Sequence, residues 1–193
     1  MFQYGYWVWK KAISPQVCDY IINEVPKDKL VDGTISKNRL NKSIRDSDIY
    51  WINKHWLYKE IIPFVRTANE KANWNYQFDT QEQFQFTTYT PGKFYDWHMD
   101  TDVKPYQDGV LKGKMRKLSV TLSLSDGNDY EGGDFEIDFR NTSPGIENKV
   151  ILKELRNKGS LVVFPSFMWH KVHPVTKGRR LSLVLWNNGE PFK

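Results

Sequence analysis

The sequence predicts an α+β domain in which helices come first and a sandwich or jelly roll of short strands follows. Two patterns predict this class. Apolar residues recur at helical spacing in the first part of the chain, whereas from Gln83 onward short runs alternate apolar and polar residues between Gly and Pro turns. The 193 residues fit a single domain, residues 1–193, with helical support over about residues 1–80 and a β core over about residues 81–193.

The N-terminal segment predicts a strand followed by a helix. Met1 to Ala12 alternates aromatic and other residues, which is typical of a strand. Ser14 and Pro15 then match an N-cap and a first helical residue. One face of the predicted helix is apolar and includes the single cysteine, which is expected to be a small core residue; this face comprises Val17, Cys18, Ile21, Ile22 and Val25.

The next segment predicts a loop and a second helical region. Residues Asp28 to Asp48 are polar and lack a steady period, so a loop with short strands is expected. From about Trp51 to Asn73 the apolar spacing is near helical, and Pro63 is expected to kink or split the helix. His55 in this region is interpreted as an ordinary surface or interface histidine.

The second half predicts roughly eight short strands. Two of them, from Gln83 to Thr88 and from Leu118 to Leu124, alternate like half-buried strands. The segment from Thr101 to Gly113 is long and contains two glycines, which favours a mobile lid. The remaining runs are Phe135–Phe139 after the turn Glu131-Gly132-Gly133, Leu161–Phe164, and Arg179–Trp186.

Composition narrows the function classes. The single cysteine excludes an internal disulfide framework and multi-cysteine metal sites. Because the sequence shows no leader or membrane-span pattern, we expect a soluble, cytoplasmic protein without membrane partners. The net charge is +5 and the pI is near 9.1, so nucleic acid or an acidic peptide could exploit a basic region. A solvated loop is the favoured interpretation, because no basic helix accompanies the cluster Lys104, Lys112, Lys114, Arg116 and Lys117.

The sequence His98-Met99-Asp100 offers two metal ligands separated by one residue. On a strand, residues i and i+2 share a face, so both side chains can reach one ion. A second histidine would complete the 2-His-1-carboxylate set that leaves positions open on a non-haem Fe(II) centre. His170 and His173 are the candidates, and only one can be a ligand because they face opposite sides of a strand.

The last predicted strand supports a site for an anion. Leu181, Leu183 and Leu185 share one face and are expected to pack against the helices. An arginine would then point into the interior, where a buried guanidinium needs an anionic partner such as a dicarboxylate. The residues on this interior face are Arg180, Ser182, Val184 and Trp186.

Together these motifs resemble the Fe(II)/2-oxoglutarate-dependent dioxygenases, and more narrowly their prolyl 4-hydroxylase branch, which includes collagen-type, hypoxia-sensing and bacterial enzymes. The H-x-D pair alone is a weak signal, but the combined spacing is specific. The resemblance covers nearly the whole chain and is strongest from Tyr89 to Trp186. The matching motifs are Ile13-Ser14-Pro15…Cys18, Tyr89-x-x-Gly92-x-x-Tyr95-x-x-His98-x-Asp100, Gly132-Gly133, Gly159…Phe164-Pro165 and His170…Pro174…Arg180…Trp186.

The resemblance implies a double-stranded β-helix, the jelly-roll core of this superfamily, with specific roles for site residues. Fe(II) would be bound by His98, Asp100 and His170, and the distal carboxylate of 2-oxoglutarate by Arg180. O2 would be the oxidant, with ascorbate as a candidate reductant. The resemblance also places Tyr89, Thr121 and Ser123 in the cosubstrate pocket, Ser182 beside Arg180, and Tyr95 and Trp186 near the substrate. Some hypoxia-type enzymes carry a tyrosine where this chain has Ser123.

The implied activity is prolyl 4-hydroxylation of a protein or peptide, with release of succinate and carbon dioxide. Asp100 favours hydroxylation, since related halogenases lack this carboxylate. The alternatives are a 2-oxoglutarate oxygenase acting on a free amino acid, a small metabolite or a nucleic acid base, and an inactive binding module of the same fold. A proline-containing protein or peptide is the expected partner of a monomer, and nucleic acid is not expected.

Overall fold

Two helices and fifteen strands form the computed structural model, which describes residues 5–35, 39–140 and 147–192. The helices are α1, Pro15–Asn23, and α2, His55–Lys71; single 3-10 turns lie at Lys27–Lys29 and Lys153–Arg156. The strands before α2 are β1 Trp7–Trp9, β2 Val31–Asp32, β3 Arg45–Asp46 and β4 Asp48–Ile52. Those after it are β5 Thr80–Gln81, β6 Phe84–Tyr89, β7 Phe94–His98, β8 Met115–Ser123, β9 Tyr130–Gly132, β10 Phe135–Asp138, β11 Lys149–Ile151, β12 Leu161–Pro165, β13 Trp169–Val172, β14 Val175–Gly178 and β15 Arg180–Gly189.

The strands form two principal antiparallel sheets. The larger sheet has the order β1-β12-β8-β15-β6-β4-β2, with β5 added to β15. The smaller sheet has the order β11-β10-β13-β7-β3, and β14 pairs with β9 in a separate ribbon. Apolar side chains of both sheets meet in one interior cluster, including Tyr89 and Phe164 from the larger sheet and Ile137 from the smaller one. The two sheets therefore pack face to face, as predicted for a jelly roll.

The helices cover the outer face of the larger sheet. The Ser14 hydroxyl accepts a hydrogen bond from the Val17 amide at 3.3 Å, so α1 begins with the predicted N-cap. Cys18 is fully buried in the core, which confirms its assignment as a small apolar residue. The core on this face also contains Leu57, Ile61, Val65 and Ala68 of α2, packed with Leu181, Leu183 and Leu185 of β15.

Two predictions about the strands and the second helix were wrong in detail. Every residue of β6 is buried, because one face meets the helices and the other faces the interior between the sheets; β8 is buried in the same way from Lys117 onward. Trp51 belongs to β4, and α2 begins only at His55. Pro63 lies inside α2 without splitting it, since Ile61 and Val65 on either side pack into the same core.

Several other expectations are refined. The N-terminal strand is limited to β1, and the part of its alternation at residues 1–4 lies outside the described residues. The first eighty residues also supply β1 to β4 to the two sheets, so they are not purely a helical support. His55 is exposed, as expected for a surface histidine. Among the described residues, no helix has the length and apolar character needed to cross a membrane.

Candidate metal and cosubstrate site

Three side chains on the inner side of the smaller sheet converge on one point. Ligand atoms of His98, Asp100 and His170 all lie within 4.8 Å of one another. The Asp100 carboxylate is 3.7 Å from Nε2 of His98 through Oδ1, and 3.7 Å from Nε2 of His170 through Oδ2. Two imidazoles and one carboxylate at these distances can hold a single ion in the facial arrangement that non-haem Fe(II) uses.

Strand pairing explains why these residues meet. His98 of β7 lies directly opposite His170 of β13. The next pair is Tyr95 with Val172, so three residue steps on β7 match two on β13, which is a β-bulge. The bulge lets Tyr95 and His98 face the same side despite their odd spacing. Because β7 ends at His98, the prediction that Asp100 shares its strand was wrong, and the Asp100 amide instead bonds to the Ser166 carbonyl at 2.9 Å.

Main-chain carbonyl groups orient both imidazoles. Nδ1 of His98 donates to the Asp96 carbonyl at 2.8 Å, and Nδ1 of His170 donates to the Met168 carbonyl at 2.9 Å. With the proton on Nδ1, each Nε2 presents its lone pair toward Asp100. Such partners for the outer ring nitrogen are the usual support of metal-binding histidines.

The electrostatics of the cluster favour the protonation states that a metal needs. Burial lowers the pKa of His98 well below its ordinary value, and the neighbouring His170 adds to this effect. Burial opposes ionisation of Asp100, but His170, His98 and Arg116 outweigh it, so the pKa of Asp100 lies below its ordinary value. The carboxylate is therefore ionised and His98 neutral at neutral pH, as metal coordination requires.

His173 lies outside this cluster. Its Nε2 is 2.7 Å from Oε2 of Glu136, a residue of β10 on the outer side of the smaller sheet. The prediction that only one of the two distal histidines can reach the site therefore agrees with the geometry, and His170 is the one that does.

Arg180 enters the interior from the first position of β15. It is 1% exposed, and its Nη1 donates to the Ser182 hydroxyl at 3.3 Å. Its Nη2 has no hydrogen-bond partner among the described residues, and its guanidinium carbon lies 5.5 Å from the Tyr89 ring. A buried guanidinium with a free donor pair fits a carboxylate of a bound ligand.

Hydroxyl groups line the larger sheet beside Arg180. Ser182 lies opposite Ser123, and Val184 lies opposite Thr121, so the predicted cosubstrate residues share one face of β8 and β15. Ser123 directs its hydroxyl to the Ser125 carbonyl at 3.4 Å. The Ser119 hydroxyl bonds to Asp100 and lies 2.9 Å from the Ser166 hydroxyl. This polar face contrasts with the leucine face of the same strands and is suited to a polar ligand.

Tyr95 and Trp186 occupy the rim of the site. The Tyr95 ring stacks on the His98 imidazole with centroids 3.4 Å apart and planes at 9°. Burial raises the pKa of Tyr95 to about 12, so its phenol stays neutral at neutral pH and can donate a hydrogen bond. Trp186 is buried, its indole N–H has no partner among the described residues, and it lies 6.1 Å from the half-exposed ring of Trp51.

The structure also brings in residues that sequence reasoning missed. Arg116 was grouped with a solvated basic loop, but it lies on β8, and its Nε and Nη2 donate to the two Glu82 carboxylate oxygens, both at 2.7 Å. Its Nη1 donates to the Asp100 carbonyl at 3.1 Å, and its guanidinium lies 3.8 Å from the Trp186 ring. No periodic pattern marks this contact, because Glu82 and Arg116 are far apart in sequence.

The predicted lid segment follows Asp100 directly. It closes on itself through hydrogen bonds between Tyr106 and Lys114 at 2.9 Å and between Gly113 and Tyr106 at 2.8 Å. The Tyr106 hydroxyl also donates to Glu82 at 3.2 Å, which attaches the segment to the rim of the site. Val103 and Val110 remain almost fully exposed. The segment is thus placed beside the site, while its mobility stays a prediction.

Comparison with known proteins identifies the family. The model of the 2OG-Fe(II) oxygenase superfamily matches residues 84–188, which is more than half of the chain. The chain belongs to this superfamily. A PKHD-type hydroxylase of Sphingopyxis alaskensis is 37% identical over 98 residues, which are 51% of this chain and 40% of that protein. The chain therefore covers less than half the length of this curated relative.

Solved structures show the same fold. A prolyl-4-hydroxylase of Pseudomonas putida aligns over 97% of this chain and 94% of its own, with a TM-score of 0.73 and 21% identity. The viral collagen prolyl hydroxylase of Paramecium Bursaria Chlorella virus-1, solved as a 2OG complex, aligns over 97% of both chains with a TM-score of 0.68 and 21% identity.

These findings confirm the predicted fold class, the superfamily, and Fe(II) and 2-oxoglutarate as its cofactors.

Proposed function

We propose that this chain is a 2-oxoglutarate-dependent hydroxylase that acts on a prolyl residue of a protein or peptide. The observation that carries the proposal is the convergence of two features in one interior space. One is the three-ligand cluster of His98, Asp100 and His170, and the other is the buried, incompletely partnered guanidinium of Arg180. A metal with open positions beside a site for a dicarboxylate matches the chemistry of the superfamily.

The ligand cluster would hold Fe(II) through both Nε2 atoms and the Asp100 carboxylate. Three protein ligands leave three positions of an octahedral ion available to other groups. When bound, Fe(II) and 2-oxoglutarate supply the oxidising chemistry that places one oxygen atom of O2 in the substrate and yields succinate and carbon dioxide. The protein keeps the imidazoles oriented and the carboxylate ionised, so that the site is formed before the cosubstrate enters.

Arg180 would bind the distal carboxylate of 2-oxoglutarate. The negative charge would compensate a guanidinium that has no acidic partner among the described residues. Ser182 holds Nη1 and thereby directs the guanidinium plane, while Tyr89 packs against it. Thr121 and Ser123 complete the polar face on the neighbouring strand. The side chains of Asp100 and His170 are only 8% and 6% exposed, which would limit the access of water to the reacting groups.

A peptide substrate is supported by the rim of the site and by the names of the similar proteins. Tyr95 offers a neutral phenol beside His98, and Trp186 lies next to the half-exposed ring of Trp51, so a peptide that enters beside the metal would meet these aromatic rings. The similar structures are those of prolyl hydroxylases. The segment 101–113 follows Asp100 and would close over such a peptide. We further propose that residues 1–193 act as one domain and as a monomer in the cytoplasm.

Succinate formation tests this function. The protein is supplied with Fe(II), 2-oxoglutarate, O2 and ascorbate, with and without proline-containing peptides, and the peptides are analysed by mass spectrometry. We expect peptide-stimulated succinate and one added oxygen atom on proline. His170→Ala should abolish both, whereas His173→Ala, which changes a nearby histidine outside the cluster, should retain them.

Other outcomes would redirect or end the proposal. Slow peptide-independent turnover that requires His170 would indicate a free amino acid, a small metabolite or a nucleic acid base as the substrate. Equal loss in His170→Ala and His173→Ala would contradict the assignment of the metal ligands. Absence of both turnover and 2-oxoglutarate binding would instead support an inactive binding module.

A further inference from the structure

A second buried arginine lies beside the site and has no acidic partner among the residues that the structure describes. Arg45 of β3 is 5% exposed, and its three nitrogen atoms all donate to neutral acceptors. These are the Ser47 hydroxyl at 2.9 Å, the Thr34 carbonyl at 2.8 Å and the Gln85 side-chain oxygen at 2.6 Å. Arg45 forms no ion pair within the described part of the chain. Since a buried charge without an ion pair is unfavourable, Arg45 is a candidate for a role in the adjacent site.

The contacts of Arg45 join the two sheets next to the metal ligands. β3 is the edge strand of the smaller sheet, and Arg45 lies opposite Tyr95 on β7. Gln85 belongs to β6 of the larger sheet. The hydrogen bond from Arg45 to Gln85 therefore fixes the guanidinium relative to both sheets. Gly33 allows this packing, because a Cβ there would lie 2.7 Å from Nε of Arg45 and 2.3 Å from the Ser47 hydroxyl.

The fixed guanidinium lies over the ring that supports a metal ligand. The guanidinium carbon of Arg45 is 4.6 Å from the centre of the Tyr95 ring, which is within the range of a cation–π contact. The same ring stacks on His98 at 3.4 Å and 9°. Arg45, Tyr95 and His98 thus form a continuous series of contacts from the edge of the smaller sheet to the metal cluster.

We propose that Arg45 is a positioning residue that holds Tyr95 against His98 and so fixes the plane of the imidazole that binds the metal. The Asp96 carbonyl holds Nδ1 at the edge of the His98 ring, and the stacked Tyr95 ring lies against one face of the imidazole. Tyr95 thereby limits rotation of the imidazole about its Cβ–Cγ bond, and Arg45 in turn keeps Tyr95 in place. The role in turnover rests on the proposed function, whereas the role in metal binding can be measured without it.

The planar fork of arginine is needed for this role. Nε and both Nη atoms bond to three different chain segments, while the face of the same group lies over Tyr95. A lysine would keep the charge but present a single flexible ammonium group. Arg45→Lys is therefore expected to retain only part of the effect, and Arg45→Met to lose it.

Co(II) binding to the full chain tests the proposal directly, because its visible absorption reports on ligand geometry. Partners that orient metal ligands typically change metal affinity by about 10–100-fold. We expect Arg45→Met to weaken Co(II) binding by about tenfold and to shift the absorption of the Co(II)-saturated protein, with Arg45→Lys between it and the wild type. Arg66→Met is the matched control. Arg66 belongs to α2 on the outer face of the larger sheet, and its guanidinium carbon lies 5.7 Å from the centre of the Phe78 ring.

A double-mutant cycle separates positioning from a general structural role. In a Tyr95→Leu background, Arg45→Met should cause no further change in Co(II) affinity or absorption, because the link to His98 is already broken. Additive effects would overturn the proposal, as would an unchanged spectrum in folded Arg45→Met. If Arg45→Met does not fold, Arg45→Lys carries the same test with the same outcomes.

The result also distinguishes this inference from the proposed function. If the wild-type protein binds Co(II) and the Arg45 substitutions leave the Co(II) spectrum unchanged, the inference alone is contradicted. A wild-type protein that binds Co(II), responds to Arg45→Met, and shows no peptide-stimulated turnover contradicts the proposed function alone.

Discussion

The two faces of the larger sheet have opposite character although the same strands build both. On β15, Leu181 and Leu183 face the helices, whereas Arg180 and Ser182 face the smaller sheet. The leucine face packs against α1 and α2 in a continuous apolar core. The interior face carries buried hydroxyl groups and a guanidinium with an unpartnered nitrogen. The helix side therefore stabilises the fold, whereas the interior side keeps polar groups buried at the place where we propose that 2-oxoglutarate binds.

The first prediction concerns the apolar face and has the largest expected effect. Leu183→Ala removes a side chain that is 1% exposed in the helix-side core. The lost burial and the remaining cavity should lower the free energy of unfolding by about 2–5 kcal/mol. Urea denaturation measures this change. Calorimetry should show unchanged 2-oxoglutarate affinity in the folded variant; a large loss of affinity would contradict the separation of the two faces.

The second prediction concerns the interior face, where a substitution should weaken ligand binding without lowering stability. Arg180→Gln removes the charge that would pair with the distal carboxylate, so 2-oxoglutarate affinity should fall by about 10–100-fold, corresponding to the 1.5–3 kcal/mol of a charged hydrogen bond. The free energy of unfolding should stay the same or rise, because a buried guanidinium without an acidic partner is removed. Calorimetry and urea denaturation measure both quantities. Marked destabilisation with unchanged affinity would reverse the assignment of the faces.

The third prediction uses pH to examine the helix-side core. Burial raises the pKa of Cys18 to about 11. The unfolded thiol titrates near pH 8.5, so the folded state holds its proton more tightly and stability is lost as the pH rises from about 8.5 toward 11. At pH 10 this loss should amount to about 1–2 kcal/mol. Urea denaturation at pH 8 and pH 10 should show this extra loss in wild type but not in Cys18→Ala; equal pH dependence would refute it.

The fourth prediction refines the interior face and has the smallest effect. Ser182→Ala removes the acceptor for Nη1 of Arg180, which leaves the guanidinium less well directed. A loss of about 1 kcal/mol, or roughly fivefold in 2-oxoglutarate affinity, is expected for one neutral hydrogen bond. Ser125→Ala is a useful comparison, because the Ser125 hydroxyl bonds to the Leu181 amide and makes no contact with Arg180. An equal loss in both variants would indicate a general effect of the strand.

Much of this two-faced design is visible in the sequence. The period of two in β15 predicted that the leucines and Arg180 point to opposite sides. The H-x-D spacing and the family resemblance predicted the cluster of His98, Asp100 and His170; the two histidines lie on the adjacent strands β7 and β13, and Asp100 follows the end of β7. The combination of these patterns also carried the resemblance that predicted the fold and superfamily.

The remaining contacts could not be predicted because they join short elements far apart in sequence. Glu82 meets Arg116 across 34 positions, and Glu82 follows β5, a strand of only two residues that shows no period. Arg45 lies on a strand of two residues, too short to show a period. The bulge that aligns Tyr95 with His98 depends on how β7 and β13 pair. The predicted start of α2 was wrong because Trp51 and Ile52 fit a helical pattern as well as a strand.

The most direct measurement compares two ligands that differ only in the distal carboxylate. Anaerobic calorimetry with Fe(II)-loaded protein would determine the affinities of 2-oxoglutarate and of 2-oxopentanoate, which has the same chain length without that carboxylate. We predict that wild type prefers 2-oxoglutarate by about 10–100-fold and that Arg180→Gln abolishes the preference. Equal affinities in the wild type, or a preference that survives in Arg180→Gln, would contradict the claim that the interior face binds the cosubstrate through Arg180.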